Sequence, residues 1–366
     1  MKSKHIYKSI ACGVLLALTA TSCDLDYNPV DSYSDVTEGV DKTDEKPIFN
    51  SVQDVETSMV TLHKKFRDQQ EHWYVDKLLI GDAHSDNAYA GTTGAEVVPY
   101  ETNSIEGSNS VLKRDWDRFL GDIAEANRII VGCEQLKALS DSERGKYQSQ
   151  AKIFRAMVMF DMVRLWGNFP VITTVGGDIT EDNVEEMYPT YFPPQNTAEE
   201  AYAQIEKDLT EAVENPNTPT NDASDKSILT KSVARAMLAK VYAEKPLRDY
   251  AKVIKYADEL AADGFDLVED FSDLWAYDTE KKDCRVRNTK EAILEAHFPP
   301  GSGNWCTWMF GRNLSNWDES FTWAKWITPS RDLIRLYEEQ GDTKRYNESV
   351  VWYECGWSNY YPADHY

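Results

Sequence analysis

The segment Ala151–Trp166 constrains this chain more than any other. Twelve of its sixteen residues are apolar, and the other four, Lys152, Arg155, Asp161 and Arg164, are charged. At 100° per residue, Lys152 and Arg155 fall on one edge of a helix and Asp161 and Arg164 on another. Two broad apolar faces remain, which suits a helix held between neighbours in a helical array rather than a surface helix with one stripe. The stretch is too short and too charged to span a membrane. Gly167, with Pro170 close behind, supplies the exit. These features predict a buried scaffold helix.

Helical periodicity recurs at Ser51–Gln70, Leu112–Leu139, Ser142–Trp166, Thr197–Val213, Ile228–Glu244, Asp249–Asp263 and Arg331–Glu339. Ser140 or Asp141 can cap the helix ending at Trp166, and Thr197 with Glu200 three residues later forms a capping pattern. Pro193-Pro194 and the Asn/Pro/Thr-rich run 215–222 interrupt the pattern. Leu238, Ala239, Tyr242 and Ala251 fall at spacings that partly resemble a tetratricopeptide unit. The expected fold is mainly α: a tetratricopeptide-like helical-hairpin scaffold with a loop-rich, partly irregular ligand-binding region.

The N-terminus reads as an export signal. Lys2, Lys4 and Lys8 form a basic n-region, Ile10 to Ala20 an apolar h-region, and Ala20-Thr21-Ser22 a small-residue approach to Cys23. This resembles a bacterial lipoprotein site, although Ala20 stands where a leucine is usual. The resemblance implies a signal peptide over residues 1–22, lipidation of Cys23, and Asp24 and Asp26 as an acidic tag for the cell surface. Residues 23–50 lack periodicity and are expected to form an extended tether, with one domain over 51–366.

Four segments carry a wider resemblance. Ala151–Pro170, the run Cys23–Asp35, the helix Trp116–Ile130 with its Ala126-Asn127, and Thr328–Arg345 are similar to the RagB/SusD family of Bacteroidota. The resemblance implies an outer-membrane, lipid-anchored, cell-surface protein that captures glycans for a TonB-dependent (SusC-like) transporter, with the helical hairpins as scaffold. Such proteins normally continue well beyond the point where this chain stops, so an incomplete sequence is expected.

Charge narrows the partners. Removing the three lysines of the first 22 residues takes the formal charge from −23 to −26. Nucleic acid is excluded because a duplex demands a basic footprint. Eleven tryptophans and twenty tyrosines exceed what the core of so acidic a chain needs, and the surplus suits stacking on sugar rings.

Loops on a rigid scaffold are where binding is expected. In the segment Gly81–Ser110, Asp82, His84 and Asp86 alternate and would share a face if extended, yet no calcium-loop spacing or second histidine accompanies them. Asp82 and Asp86 are read as caps of helices or turns, with no metal and no cofactor. By the resemblance this loop contributes to a glycan site, with Asn87, Tyr89 and Tyr100 as candidates. The segment Gly301–Pro329 holds Trp305, Trp308, Trp317, Trp323 and Trp326 within 22 residues. It lies between a strand-like Glu291–Phe298 and the helix opening at Pro329. A pyranose presents a C–H face that stacks on an aromatic ring and hydroxyls that need planar donors and acceptors. Trp305, Trp308, Trp317 and Trp323 are the candidate rings, and Asn304, Arg312, Asn316 and Asp318 the polar partners. Trp305 and Trp317 lead because their Gly and Asn neighbours suggest exposed turns, whereas Trp326 is expected to pack.

Catalysis finds no motif. A nucleophile elbow, a zinc-binding His-Glu-x-x-His, a phosphate loop and a dinucleotide fingerprint are all absent. Among 62 acidic residues a glycosidase pair can always be imagined, so the reading is a non-enzymatic binder. Alternatives are a family member for a non-sugar ligand such as peptides, and a tetratricopeptide-type envelope adaptor. Beyond Cys12 and Cys23, the cysteines 133, 284, 306 and 355 show neither disulfide-scaffold density nor zinc spacing. Cys133 is expected to be a free buried thiol, and Cys306 and Cys355 are the two that an oxidising compartment could join.

Overall fold

The structure is a computed structural model that describes residues 47–90, 96–177, 179, 181, 183–244, 246–274, 277–278, 280–281, 283–298 and 327–350. Within the unit from Ile48 onward, six helices follow one another: α1 (Val52–Asp68), α2 (Ser110–Gln135), α3 (Asp141–Trp166), α4 (Ala198–Glu214), α5 (Lys231–Ala243) and α6 (Tyr250–Ala262). Each packs on the next, so α3 lies between α2 and α4. α7 (Arg331–Gln340) and α8 (Thr343–Ser349) come late in the chain. Short strands β1 (Ala88–Ala90) and β4 (Ile327–Pro329) form one antiparallel ribbon, and β2 (Tyr277–Asp278) and β3 (Asp283–Cys284) another.

The mainly α fold expected from periodicity is found, with helix ends set by named caps. Ser51, Ser140 and Thr197 each accept an N–H three residues on, while Asp54, Glu143 and Glu200 reach back to the cap residue. Ser140 is thus the cap of α3 and Asp141 its first residue. The helix ends at Gly167, whose positive φ of 72° suits a residue without Cβ.

Both apolar faces of α3 are buried. Ile153, Phe154, Val158, Met159, Phe160, Met162 and Val163 all lie in the main core, each contributing roughly 1.5–3 kcal/mol of transfer free energy. The charges read as helix edges find partners: Lys152 reaches Glu211 at 2.7 Å, Arg164 reaches Glu244 at 3.0 Å, and Asp161 pairs with Lys77. Arg155 is different, because its whole guanidinium is buried. It grips Asp208 of α4 with Nε and Nη2 at 2.8 and 2.7 Å, and its Nη1 donates to Asn127 Oδ1 of α2 at 2.7 Å. The Asn127 amide then donates to the carbonyls of Ile172 and Thr174 at 2.9 and 3.2 Å. One side chain therefore ties three helices and the loop after α3.

A second buried carboxylate organises residues 71–83, a helical run with π turns at Glu71–Val75 and Leu79–Ala83. The widened turn lets consecutive side chains converge. His72 Nε2 lies 2.8 Å from Asp122, and Trp73 Nε1 donates to the same oxygen at 3.0 Å, while Lys65 pairs with the other at 3.1 Å. The described end of the N-terminal segment docks through Phe49 against α2. Gly132 leaves the room, since a Cβ there would stand 2.3 Å from the Phe49 ring.

One reading of the fold is corrected. Glu291–Phe298 is irregular and not a strand. Glu295 donates its N–H to Lys226 at 2.8 Å, its carboxylate is taken by Asn288 N–H and His297, and Ile293 and Leu294 pack on the core. In the tetratricopeptide-like pair, Leu238 and Tyr242 are buried but Ala251 is exposed. Across the α5–α6 contact, Tyr242 stacks on Tyr256 with centroids 6.1 Å apart. The helical run 71–83 and α8 add helix that periodicity did not mark. Cys133 is a free, buried thiol, pushed up to about 12 by burial, and Cys284 is free and exposed.

The Arg155–Asp208 pair yields a stability test. Asp208→Ala strands a buried guanidinium and should cost about 3–5 kcal/mol, read as a lower urea midpoint. The double change Arg155→Met, Asp208→Leu should cost much less, because no charge is left unpaired. Equal losses in the two variants would contradict the assignment.

Candidate functional site

The two loop segments marked in the sequence meet. β1 and β4 pair with Ala88 opposite Pro329, Tyr89 opposite Thr328 and Ala90 opposite Ile327. The exit of the tryptophan-rich segment is thereby hydrogen-bonded to the loop that carries Asn87 and Tyr89. Ser330 locks the junction. Its N–H donates to Asn87 O at 2.9 Å and its hydroxyl to Asp86 O, while the same Oγ caps α7 by accepting from Leu333 N–H at 3.0 Å. The Arg331 N–H, 242 residues from Tyr89, donates to the Tyr89 phenol at 3.3 Å. The phenol keeps its own proton to donate.

Under this ribbon lies a small satellite core of Leu79, Ala83, Val97, Tyr100 and Val111, flanked by Ile80, Ala90, Ile105 and Ile327. Asn87 is exposed, and Tyr89 is 39% exposed. Tyr100 is not available: it is fully buried at the centre of the satellite core, so it offers no face for stacking. Four apolar residues scattered over 79–111 need a large ring between them, and Tyr100 fills that space. Asp82 and Asp86 work here through their main chain, Asp82 O closing a turn with Ser85 N–H at 3.1 Å. His84 Nε2 sits 2.7 Å from Asn103 Oδ1, and Asn103 adopts the left-handed conformation asparagine tolerates, φ 54°.

Beside the satellite core a cavity of about 410 Å³ is lined by Glu96, Pro99, Ser104, Glu106, Ser108, Asn109 and Ser110. Asn109 holds its rim, capping α2 by accepting from Val111 N–H at 3.0 Å and donating to Glu96 O at 3.1 Å. Carboxylates and hydroxyls of this kind can pair with a polyol. These residues lie inside the loop marked in the sequence but had no signal of their own, and neither had Ser330. Cys23, Trp305, Trp308, Trp317, Trp323, Asn304, Arg312, Asn316 and Asp318 lie outside the described residues, as do Cys306 and Cys355.

Residues 31–243, more than half the chain, match the SusD-like family described as "Starch-binding associating with outer membrane". The chain belongs to the SusD-like family. It is 25% identical over 318 residues to a SusD-like protein of Bacteroides ovatus, covering 83% of this chain and 51% of that one. The SusD-like chain thus spans about half the length of that curated relative. Its fold is similar to that of a laminarin-binding SusD-like protein, with TM-score 0.62, 18% identity, and coverage of 83% of this chain and 67% of the other. It is also similar to surface glycan-binding protein A of Bacteroides thetaiotaomicron, solved with laminarihexaose, with TM-score 0.59, 15% identity, and coverage of 78% and 61%. At these identities the structural likeness concerns the fold.

In this SusD-like chain the satellite core rests on a buried acidic pair. Asp76 and Asp115 are both buried beside Arg114, which pairs with Asp76 and stands 3.6 Å from Asp115. Burial, then the charge of Asp76, pushes the Asp115 carboxyl up to about 9, and burial with the same carboxylates pushes the Tyr100 phenol up as well. At neutral pH Asp115 is therefore protonated when folded and ionised when unfolded. The native state holds the extra proton between the ordinary carboxylate value and about 9, so stability falls as pH rises through that window. Asp115→Asn removes this loss. It should melt higher than the parent at pH 8, by roughly 2–4 °C, with the gap closing toward pH 4. A pH-independent gap in thermal melts would refute the assignment.

Proposed function

We propose that this SusD-like chain is a cell-surface lipoprotein that captures oligosaccharide or polysaccharide and delivers it to a TonB-dependent outer-membrane transporter. The observation that carries the proposal is the β1–β4 pairing, which joins the exit of the tryptophan-rich segment to the loop bearing Asn87 and Tyr89. The glycans named for similar proteins, laminarin and laminarihexaose, support a glucan-type ligand.

Binding is passive in this reading. Trp305, Trp308, Trp317, Trp323 and Tyr89 supply ring faces for the C–H face of a pyranose, each stacking contact adding about 0.5–1.5 kcal/mol. Asn87, Asn304, Arg312, Asn316 and Asp318 supply planar hydrogen-bond partners for the hydroxyls. The role is non-enzymatic, with no bond made or broken. The lipid on Cys23 holds the protein at the outer membrane, where one face meets the transporter.

Affinity electrophoresis of the chain from residue 24 onward, through gels containing a polysaccharide panel, tests the ligand class. Trp305→Ala or Trp317→Ala should weaken retardation by about tenfold in apparent affinity, the equivalent of one lost stacking contact. Absence of retardation in every glycan, with binding to peptides instead, would refute the proposal. The anchor has its own test: Cys23→Ala in the full chain should move the protein from the membrane fraction to the soluble fraction, and unchanged membrane retention would count against lipidation.

A further inference from the structure

Beyond α3 the chain enters a stretch of unusual charge. Between Arg164 and Lys207 there is no lysine or arginine, while eight Asp and Glu occur. Inside this stretch a one-turn helix (Val184–Met187) runs into a 3₁₀ turn (Tyr188–Tyr191). Its large apolar side chains point outward: Tyr188 is 55%, Tyr191 49% and Phe192 67% exposed. Val184, one helical turn before Tyr188, is exposed with them. The Tyr188 and Phe192 rings stand 5.0 Å apart between centroids, tilted by 47°.

The turn that carries the rings is held in place. The Tyr191 hydroxyl donates to Gly177 O at 2.7 Å, and Thr190 Oγ1 donates to Met187 O at 2.7 Å. Two glycines let the preceding loop lie against the turn. A Cβ on Gly176 would stand 3.3 Å from the Tyr191 ring, and one on Gly177 would stand 2.9 Å from Met187 Cε. Exposed Glu185, Glu186 and Gln195, each within three residues of a ring in sequence, supply acceptors and a donor.

We infer that the Tyr188–Phe192 ring pair is a second glycan-stacking platform, selective for neutral polysaccharide. The complementarity is that of a sugar chain: exposed ring faces for C–H surfaces, with planar polar groups at their edges for hydroxyls. The uninterrupted negative charge repels uronic-acid polymers, anionic lipid and nucleic acid. Exposed carboxylates within three residues of the rings also differ from the centre of a protein interface, where charge is depleted. This platform rests on the glycan-binding reading above but uses different residues.

The test compares four proteins by affinity electrophoresis in laminarin, xyloglucan, starch and polygalacturonate: the parent, Tyr188→Ala/Phe192→Ala, Trp305→Ala/Trp317→Ala, and Tyr188→Trp/Phe192→Trp. The first double variant should lose about fivefold or more in apparent affinity for a neutral polysaccharide that retards the parent. Its melting temperature should stay unchanged, because the rings are exposed. The Trp/Trp variant should keep the retardation, and polygalacturonate should not retard the parent through these rings. Parent-like migration of Tyr188→Ala/Phe192→Ala in every retarding glycan overturns the platform while leaving the Trp305/Trp317 proposal intact. Loss of binding to a protein partner with glycan retardation unchanged also overturns it. A parent that no neutral glycan retards overturns both readings.

Discussion

Arg155 is the point on which the scaffold turns. A guanidinium in a dry core is tolerable only when its donors are matched in direction, because the fork is planar and cannot adjust. Asp208 fills one edge of the fork, Asn127 takes another donor, and Gln204 donates to Asp208 Oδ1 at 2.9 Å. A shift of α3 along α2 or α4 by one residue would leave buried charge unsatisfied, at a cost larger than the gain from any repacked leucine. The apolar faces of α3 make the array compact. The buried ion pair selects one register of it, and Asn127 extends that register to the carbonyls of Ile172 and Thr174.

The candidate site stands on a weaker foundation than the scaffold. Its satellite core has five buried apolar residues, against more than thirty in the main core, and it lies above a carboxyl kept neutral by burial. Local stability follows from buried apolar contact, so this module belongs to the less stable part of the fold. The ribbon of β1 and β4 compensates in part. It joins segments far apart in sequence through backbone hydrogen bonds, and Ser330 serves both the ribbon and the cap of α7. Binding loops on such a module can adapt while the helices beneath keep their spacing.

What was legible in the sequence follows a physical division. Helices and their caps depend on neighbours within four residues, so Ser140 with Glu143, Thr197 with Glu200 and the exit at Gly167 could be read directly. Family membership was legible too, because the resemblance rests on contiguous strings such as Ala151–Pro170. Arg155 looked like an edge charge, since its partner Asp208 lies 53 residues away and periodicity cannot distinguish a solvated arginine from a paired buried one. Tyr100 failed for the same reason. The resemblance of its loop made it a candidate, but its environment is set by Leu79 and Val111 from other elements. Glu291–Phe298 looked strand-like, yet its backbone finds single partners rather than a ladder: Ala292 N–H donates to Thr289, Glu295 N–H to Lys226 O, and Phe298 O accepts from Arg287.

The aromatic surplus divides in a way that composition alone could not foresee. Trp73 is buried among Phe66, Phe119 and Phe154, and Trp116 meets Trp166 edge-on at 5.3 Å, bracing α2 against the end of α3. These rings are structural. Tyr188, Tyr191 and Phe192, in contrast, stand in solvent on a segment stripped of positive charge. Exposing large apolar rings risks self-association unless something opposes it. Here the surrounding carboxylates do: copies of the same anionic surface repel one another. A neutral sugar chain feels no such repulsion and can reach ring faces that an identical copy cannot. In the platform proposed above, the acidity of this segment serves to keep the rings open.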